Sequence, residues 1–350
     1  MTETPLPYQP GGPSGATRAR VVSGMRPTGQ LHLGHLVGAL GNWVELQSQY
    51  DCFYFVADWH ALTSDYADTS RLSSYAYENV ADWIGAGLDP EKSTFFIQSL
   101  VPEHAELFLL LSMVVPVPWL ERVPTYKEQQ ENLTDRDLSS IGFLGYPLLQ
   151  TADVAIYDAK FVPVGDDQVA HLELAREVVR RFNNFFGQKG DVLVEPLPLL
   201  TKVARLPGLD GSKKMSKSLG NTIHLSDSPD DVRKKVRGMY TDPKRVRADV
   251  PGTVEGNPVF TYHDAFNPDR DEVEDLKARY RAGKVGDVEV KTKLATALNA
   301  HLDPIRERRA AALARPDQLR EMLHAGSARA QTVARETMER VRDAVRLRYR

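Results

Sequence analysis

Two short stretches carry residue types suited to handling a polyphosphate. The first, Pro27-Thr28-Gly29-Gln30-Leu31-His32-Leu33-Gly34-His35, sets two imidazoles on either side of a glycine. Imidazole N–H groups donate hydrogen bonds to phosphate oxygens, and Gly34 has no Cβ to hold a ligand off the backbone. The second, Gly211-Ser212-Lys213-Lys214-Met215-Ser216-Lys217-Ser218, gathers ammonium and hydroxyl groups in a polar loop. Lysine is a compact, mobile charge able to stabilise a departing polyphosphate. Taken alone, a lysine-rich loop is most often a solvated surface, and two histidines at a turn can be incidental. Both stretches in one chain point to chemistry on phosphate.

The elements that must position them follow from periodicity. Arg20 to Gly24 reads as a short strand, Pro27 to Gly29 as a turn and about 34–49 as a helix. The histidines thus fall where a strand hands over to a helix, the place where open α/β sheets bind ligands and where helix N–H groups favour phosphate. Further strands are expected at 51–58, 94–97 and 160–164, with helices at 71–87, 147–157 and about 166–186. This alternation predicts an α/β fold, a Rossmann-like doubly wound parallel sheet. After Leu225 the strand signals fade, and 229–240, 269–282, 287–315 and 316–348 are charged, Ala-rich and helical in period. The expected organisation is a Pro- and Gly-rich flexible tail over 1–19 and a Rossmann-like domain over 20–224 that includes the lysine loop at 207–221. An all-helical domain over 225–350 follows, its last helix placed to pack back on the first domain.

Composition narrows the class. The 350 residues are 42% hydrophobic and 26% charged, an ordinary globular balance. There is no apolar run of membrane-spanning length and no secretory leader at the N-terminus, so a cytoplasmic protein is expected. The single cysteine, Cys52, allows no intrachain disulfide, and no metal-ligand set is visible. With a net charge of −3, a nucleic-acid partner must meet a local basic face. The arginines from Arg306 to Arg350 offer one, but Glu307, Glu321, Glu336 and Glu339 are interleaved, so a salt-bridged helix surface is an equal reading.

The paired His-x-Gly-His and Lys-Met-Ser-Lys-Ser stretches, complete and in this order, resemble the signatures of the class I aminoacyl-tRNA synthetases. The resemblance covers nearly the whole chain after the tail and is nearest to the tryptophanyl/tyrosyl subgroup. It implies an enzyme that activates an amino acid with ATP and Mg²⁺ and passes it to tRNA. It also implies a homodimer whose helical domain meets the anticodon. By resemblance, His32, His35, Lys214 and Lys217 act on the phosphates, with Lys127 of Thr125-Tyr126-Lys127-Glu128 as a helper. Arg26, Thr28, Gly34, Gly165, Asp167, Leu206, Met215 and Ser216 complete the expected ATP site. No carboxylate cage is visible, so Mg²⁺ is expected on phosphates and water.

Val162-Pro163-Val164-Gly165-Asp166-Asp167-Gln168 matches a family run in which Gly165 and Asp167 hold the ribose and Gln168 meets the amino-acid ammonium. Tyr146-Pro147-Leu148-Leu149-Gln150-Thr151-Ala152-Asp153 matches the amino-acid-pocket helix. There Tyr146 meets the ammonium and Asp153 accepts a ring N–H or O–H. Val22, Gly24, His60, Gln150 and Val164 complete the pocket, His60 at the junction closing the second strand. Asp153 suits indole or phenol. Tyrosyl enzymes add a tyrosine on the first strand, where this chain has Val22, and Gly-Asp-Asp-Gln also resembles the tryptophanyl branch. L-tryptophan and tRNA(Trp) are therefore the expected substrates, with the tyrosyl activity as the alternative. Departures are Val22 for an aromatic, Arg26 for glutamine, Gln150 for methionine, and His32 and His35 for Thr and Asn of some relatives. They imply a looser or more polar pocket. A small-molecule adenylyltransferase would lack the lysine loop and helical domain, and an idle paralogue would form adenylate weakly and charge no tRNA.

Overall fold

The structure, a computed structural model, describes residues 18–123, 139–165, 168–188, 190–200, 206–212, 215, 219–245, 247 and 249–349. Lys127, Asp167, Lys214, Ser216 and Lys217 lie outside these, as does the expected tail apart from Arg18 and Ala19. Among the described residues five strands, β1 (Arg20–Met25), β2 (Asp51–Val56), β3 (Ser93–Ile97), β4 (Phe161–Val164) and β5 (Leu197–Leu200), form one parallel sheet in the order β3-β2-β1-β4-β5. Cys52 to Val56 are all buried, because helices cover both faces of a doubly wound sheet. Chain order reverses between β1 and β4, which opens a crevice beyond the carboxyl ends of those two strands. β5 was not anticipated, because Pro198 interrupts its apolar run. It forms as an edge strand, where a missing N–H removes no ladder bond.

Among the described residues there are twelve α-helices. α1 comprises Leu33–His35, a π-helical turn Leu36–Leu40, and Gly41–Leu46. The next six are α2 (Asp58–Asp65), α3 (Leu72–Ala86), α4 (Glu103–Ser112), α5 (Val117–Glu121), α6 (Ile141–Ala155) and α7 (Val169–Phe186). The helical region holds α8 (Pro229–Arg237), α9 (Pro258–Phe266), α10 (Arg270–Arg281), α11 (Asp287–Leu313) and α12 (Pro316–Ala344). Two expectations need correction. β2 stops at Val56 and Asp58 opens a helix, its carboxylate taking the N–H groups of Trp59 (3.1 Å) and Ser99 (3.0 Å), so His60 stands on α2 rather than at a strand–loop junction. α6 begins at Ile141, because Ser140 caps it by accepting from the Phe143 N–H (3.2 Å), and Pro147 is carried inside the helix.

The last two helices return to the sheet. α11 packs on α3, tightly enough that a Cβ on Gly85 would lie 2.9 Å from the Ile305 carbonyl. α12 lies along β3 and covers the outer edge of the sheet, where the Ile97 N–H donates to Ser327 Oγ at 3.3 Å. Its Leu319 and Leu323 join one apolar core, and its Ala330, Ala334, Met338 and Val341 join the other. Many of the C-terminal arginines act as fasteners. Arg309 pairs with Asp82, Arg335 with Glu103, Arg340 with Asp158 and Arg342 with Glu106. The salt-bridged reading of these helices thus describes most of that charge.

Candidate active site

A short antiparallel ladder joins the first stretch to the chain that leaves the second. The Leu33 N–H donates to the Ile223 carbonyl at 3.0 Å, and the Leu225 N–H to the Leu31 carbonyl at 2.9 Å, with His32 opposite His224. This sets the start of α1 beside the chain leaving the lysine loop. Met215 is buried here, its sulfur 3.3 Å from where a Cβ on Gly34 would stand. The base of the loop is clamped. Leu209 N–H donates to the Asn221 carbonyl (3.0 Å), the Asp210 carboxylate takes the Ser212 N–H (3.1 Å) and Asn221 Nδ2 (3.0 Å), and Tyr262 OH donates to the Pro207 carbonyl (2.8 Å).

The motif histidines cap their own helix. His32 Nδ1 accepts from the Gly34 N–H and His35 Nδ1 accepts from the His32 N–H, both at 3.1 Å, a reciprocal capping box made of imidazoles. These bonds assign Nδ1 of each neutral ring as an acceptor, so each ring proton resides on Nε2. The rings lie 3.9 Å apart, centroid to centroid. The pair thus sets two Nε2–H donors at a helix start, where backbone N–H groups already favour an anion.

A cavity of about 410 Å³ opens at the β1/β4 switch point. All eight residues expected around the amino acid line it: Val22, Gly24, His60, Tyr146, Gln150, Asp153, Val164 and Gln168. Tyr146, Gln150 and Asp153 share one face of α6 by their spacing. Arg26 lines it too and donates to Ser64 Oγ at 3.3 Å, whereas Thr28 lines a separate recess of about 160 Å³ with Arg71 and Tyr75. After β4 the Gly165 carbonyl accepts from the Gln168 N–H at 2.9 Å. Leu206 is buried at the base of the loop. Sequence reasoning missed Phe55, Thr63, Phe143 and His171, which complete the cavity wall. Phe55 and His171 carry no motif and are brought in only by the path of β2 and α7, whereas Thr63 stands on α2 three residues after His60 and Phe143 on α6 three residues before Tyr146.

Asp153 is the most constrained group at this site, 1% exposed. Its Oδ1 accepts from Gln98 Nε2 (2.7 Å) and His104 Nδ1 (2.6 Å), and its Oδ2 from His60 Nε2 (2.7 Å). His104 Nε2 then meets Tyr157 OH at 2.6 Å. A carboxylate has about four acceptor positions. Three are taken among the described residues, which leaves one on Oδ2. Burial pushes the Asp153 pKa up, but His60 and His104 outweigh it and bring it down to about 2. The stabilisation this lends is present above the ordinary carboxylate range and is lost as pH falls through about 2. At neutral pH the cavity therefore holds an acceptor-only group with one vacancy. Gln98, His104 and Tyr157 were invisible to sequence reading, because Gln98 and His104 reach Asp153 from two separate elements and Tyr157 acts on it only through His104.

The family model for class I tRNA synthetases (W and Y) matches residues 15–303. The tryptophan–tRNA ligase of Treponema pallidum is 50% identical over 337 residues, covering 95% of this chain and 98% of that protein. That of Thermotoga maritima is 48% identical over 331 residues, covering 94% and 100%. Among solved structures, tryptophanyl-tRNA synthetase from Campylobacter jejuni, complexed with ADP and tryptophan, superposes with a TM-score of 0.84 at 33% identity, over 93% of this chain and 99% of that one. The paired sequence stretches, the switch-point cavity and these likenesses agree, and the chain belongs to the class I tRNA synthetases of the tryptophan and tyrosine family.

Proposed function

We propose that this chain is a tryptophan–tRNA ligase, and the observation that carries the reading is the single acceptor position left on Asp153 in the switch-point cavity. An indole presents one N–H. Asp153 Oδ2 would take it, while Val22 on β1 offers no second polar partner for a phenol. Tyr146 and Gln168 face the same cavity as an amino-acid ammonium would require. Tryptophan's carboxylate oxygen attacks the α-phosphorus of ATP. The bond from that phosphorus to the α,β-bridging oxygen breaks, and pyrophosphate leaves with the electron pair. Tryptophanyl-adenylate then transfers its acyl group to the terminal adenosine of tRNA(Trp), releasing AMP. His32 and His35 donate from Nε2 to the phosphates, and Lys214 and Lys217, aided by Lys127, neutralise the departing pyrophosphate. Gly34 and Met215 admit the nucleotide, Gly165 and Asp167 hold its ribose, and Arg26, Thr28, Leu206 and Ser216 complete its site. Catalysis is positioning plus electrostatic stabilisation. Mg²⁺ enters on the phosphates of ATP.

The helical region is the proposed tRNA-binding part. A homodimer belongs to the same reading. Arg181 ties Val114, Trp119 and Phe185 together, and Met113, Val117 and Phe185 stand exposed around that junction, an apolar surface fit to be covered by a second copy.

Amino-acid-dependent ATP–pyrophosphate exchange tests the reading. Exchange is expected with tryptophan and not tyrosine, and Lys217→Ala is expected to lower kcat by roughly a hundredfold or more. Exchange with tyrosine alone would overturn the amino-acid assignment. Absence of exchange with either would point to an idle paralogue. A second variant probes the cavity wall. A Cβ on Gly24 would stand 2.4 Å from Phe55 Cζ, so Gly24→Ala must push that ring aside. Expected are a KM for tryptophan raised about tenfold and a destabilisation of about 1–3 kcal/mol, read by exchange kinetics and thermal unfolding.

A further inference from the structure

Asp82 lies on α3, outside the cavity and 1% exposed. Its carboxylate accepts from Arg309 Nε of α11 at 2.6 Å and lies against the backbone N–H of Leu31. One turn earlier on the same helix stands the fully buried Asn79, whose amide, assigned the orientation that satisfies both its oxygen and its nitrogen, donates to the Gly29 carbonyl at 3.1 Å and to the Tyr75 carbonyl at 3.3 Å. Gly29 has φ of +113°, a left-handed conformation that side chains disfavour. The turn 29–31 therefore hangs on two buried polar side chains of α3, and His32, the cap of α1, is the next residue. The opposite side of α3 is set by α11, through the close contact of Gly85 with the Ile305 carbonyl and the bond from Arg308 Nε to the Gly85 carbonyl at 2.8 Å.

This arrangement does not maximise stability. Burial drives the Asp82 pKa up, to about 6, and Arg309 offsets that only in part. A carboxyl whose folded pKa exceeds its unfolded value makes the folded state less stable as pH rises between the two. An ionised Asp82 at neutral pH is thus a group whose burial calls for another reason, and the turn it holds supplies one.

We propose that Asp82 is a positioning residue for the phosphate-binding turn, fixed in place by Arg309, so that the seating of α11 on α3 sets where His32 and His35 meet ATP. The inference rests on the reading of that turn as an ATP site. Asp82 touches no substrate, and its influence passes through the Leu31 N–H to the start of α1.

The test is tryptophan-dependent ATP–pyrophosphate exchange on the full chain, with thermal unfolding of every variant. Asp82→Ala, Asp82→Asn, Arg309→Gln and Arg309→Lys are compared with His35→Ala. Asp82→Ala and Arg309→Gln are expected to raise the KM for ATP about tenfold or more, leaving the KM for tryptophan within about twofold. Asp82→Asn keeps an acceptor for the Leu31 N–H and should show a smaller effect, with an unfolding temperature unchanged or higher. Arg309→Lys should recover most of the loss. If Asp82→Ala does not fold, Asp82→Asn and Arg309→Lys carry the comparison. Two results overturn the proposal while His35→Ala still impairs ATP use. In one, the variants shift neither KM. In the other, both KM values rise together in step with a fall in unfolding temperature, as expected of a purely structural group. An unaffected His35→Ala would instead strike the ATP reading of the turn itself.

Discussion

Asp153→Asn is expected to lower kcat/KM for tryptophan by about a hundredfold to a thousandfold. Three donors converge on the carboxylate, two on Oδ1 and one on Oδ2. An asparagine has one acceptor oxygen and one NH₂. Placing the NH₂ toward Gln98 and His104 sets donors against donors, at roughly 1–3 kcal/mol for each buried group left unpaired. Placing it at Oδ2 is the lesser penalty, since His60 can change tautomer and accept. That orientation nonetheless turns the one vacant acceptor into a donor, which an indole N–H cannot use. The expected loss corresponds to about 3–4 kcal/mol of transition-state stabilisation. 1-Methyltryptophan sharpens the test. The native protein should strongly prefer tryptophan to the N-methylated ligand, and the variant should lose most of that preference. A preference that survives in the variant would remove Asp153 from the role of ring-N–H acceptor.

Gly326→Ala should destabilise the fold by roughly 3 kcal/mol or more, reversing the usual sign of a glycine-to-alanine change inside a helix. Such a change ordinarily stabilises by about 0.5–1 kcal/mol. On α12, however, a Cβ at position 326 would lie 1.9 Å from the Phe95 carbonyl oxygen. That oxygen belongs to the backbone of β3, so the helix must move off the strand. Moving it strains the Ile97–Ser327 bond and the apolar contacts of Leu323 and Ala330. Chemical denaturation reads the result directly, and an unchanged or raised midpoint would show that α12 is not seated on β3 as described.

What the sequence revealed tracks what is local. The sheet and α3, with its stop at Gly87, were legible because periodicity and a glycine at φ +110° are short-range signals. The start of α6 was not, because Pro147 reads as a boundary while the weaker cue, Ser140, sets the helix. β5 was hidden by Pro198, which is tolerated only because the strand lies at an edge. The cavity was legible through motif resemblance, since Val22, Gly24, Tyr146, Gln150 and Asp153 sit at matched positions. The residues that fix Asp153 were not, for Gln98 and His104 have no spacing relation to it. Arg309 and Arg335 read as candidate phosphate contacts on helices, and the fold pairs them with the buried carboxylates of Asp82 and Glu103.

The cover that α12 places over β3 also has a meaning in time. Ile97 is separated from its partner Ser327 by 230 residues. At about 5–20 residues per second of synthesis, the ribosome needs roughly 10–50 s to make that span. Throughout it, a nascent chain that has already formed β1, β2 and β3 bears a strand with one unpaired row of backbone groups, the kind of edge that recruits neighbouring strands. Polypeptides cut short before about residue 327 would keep that edge for good. Premature termination of this chain should therefore yield insoluble fragments rather than a working half.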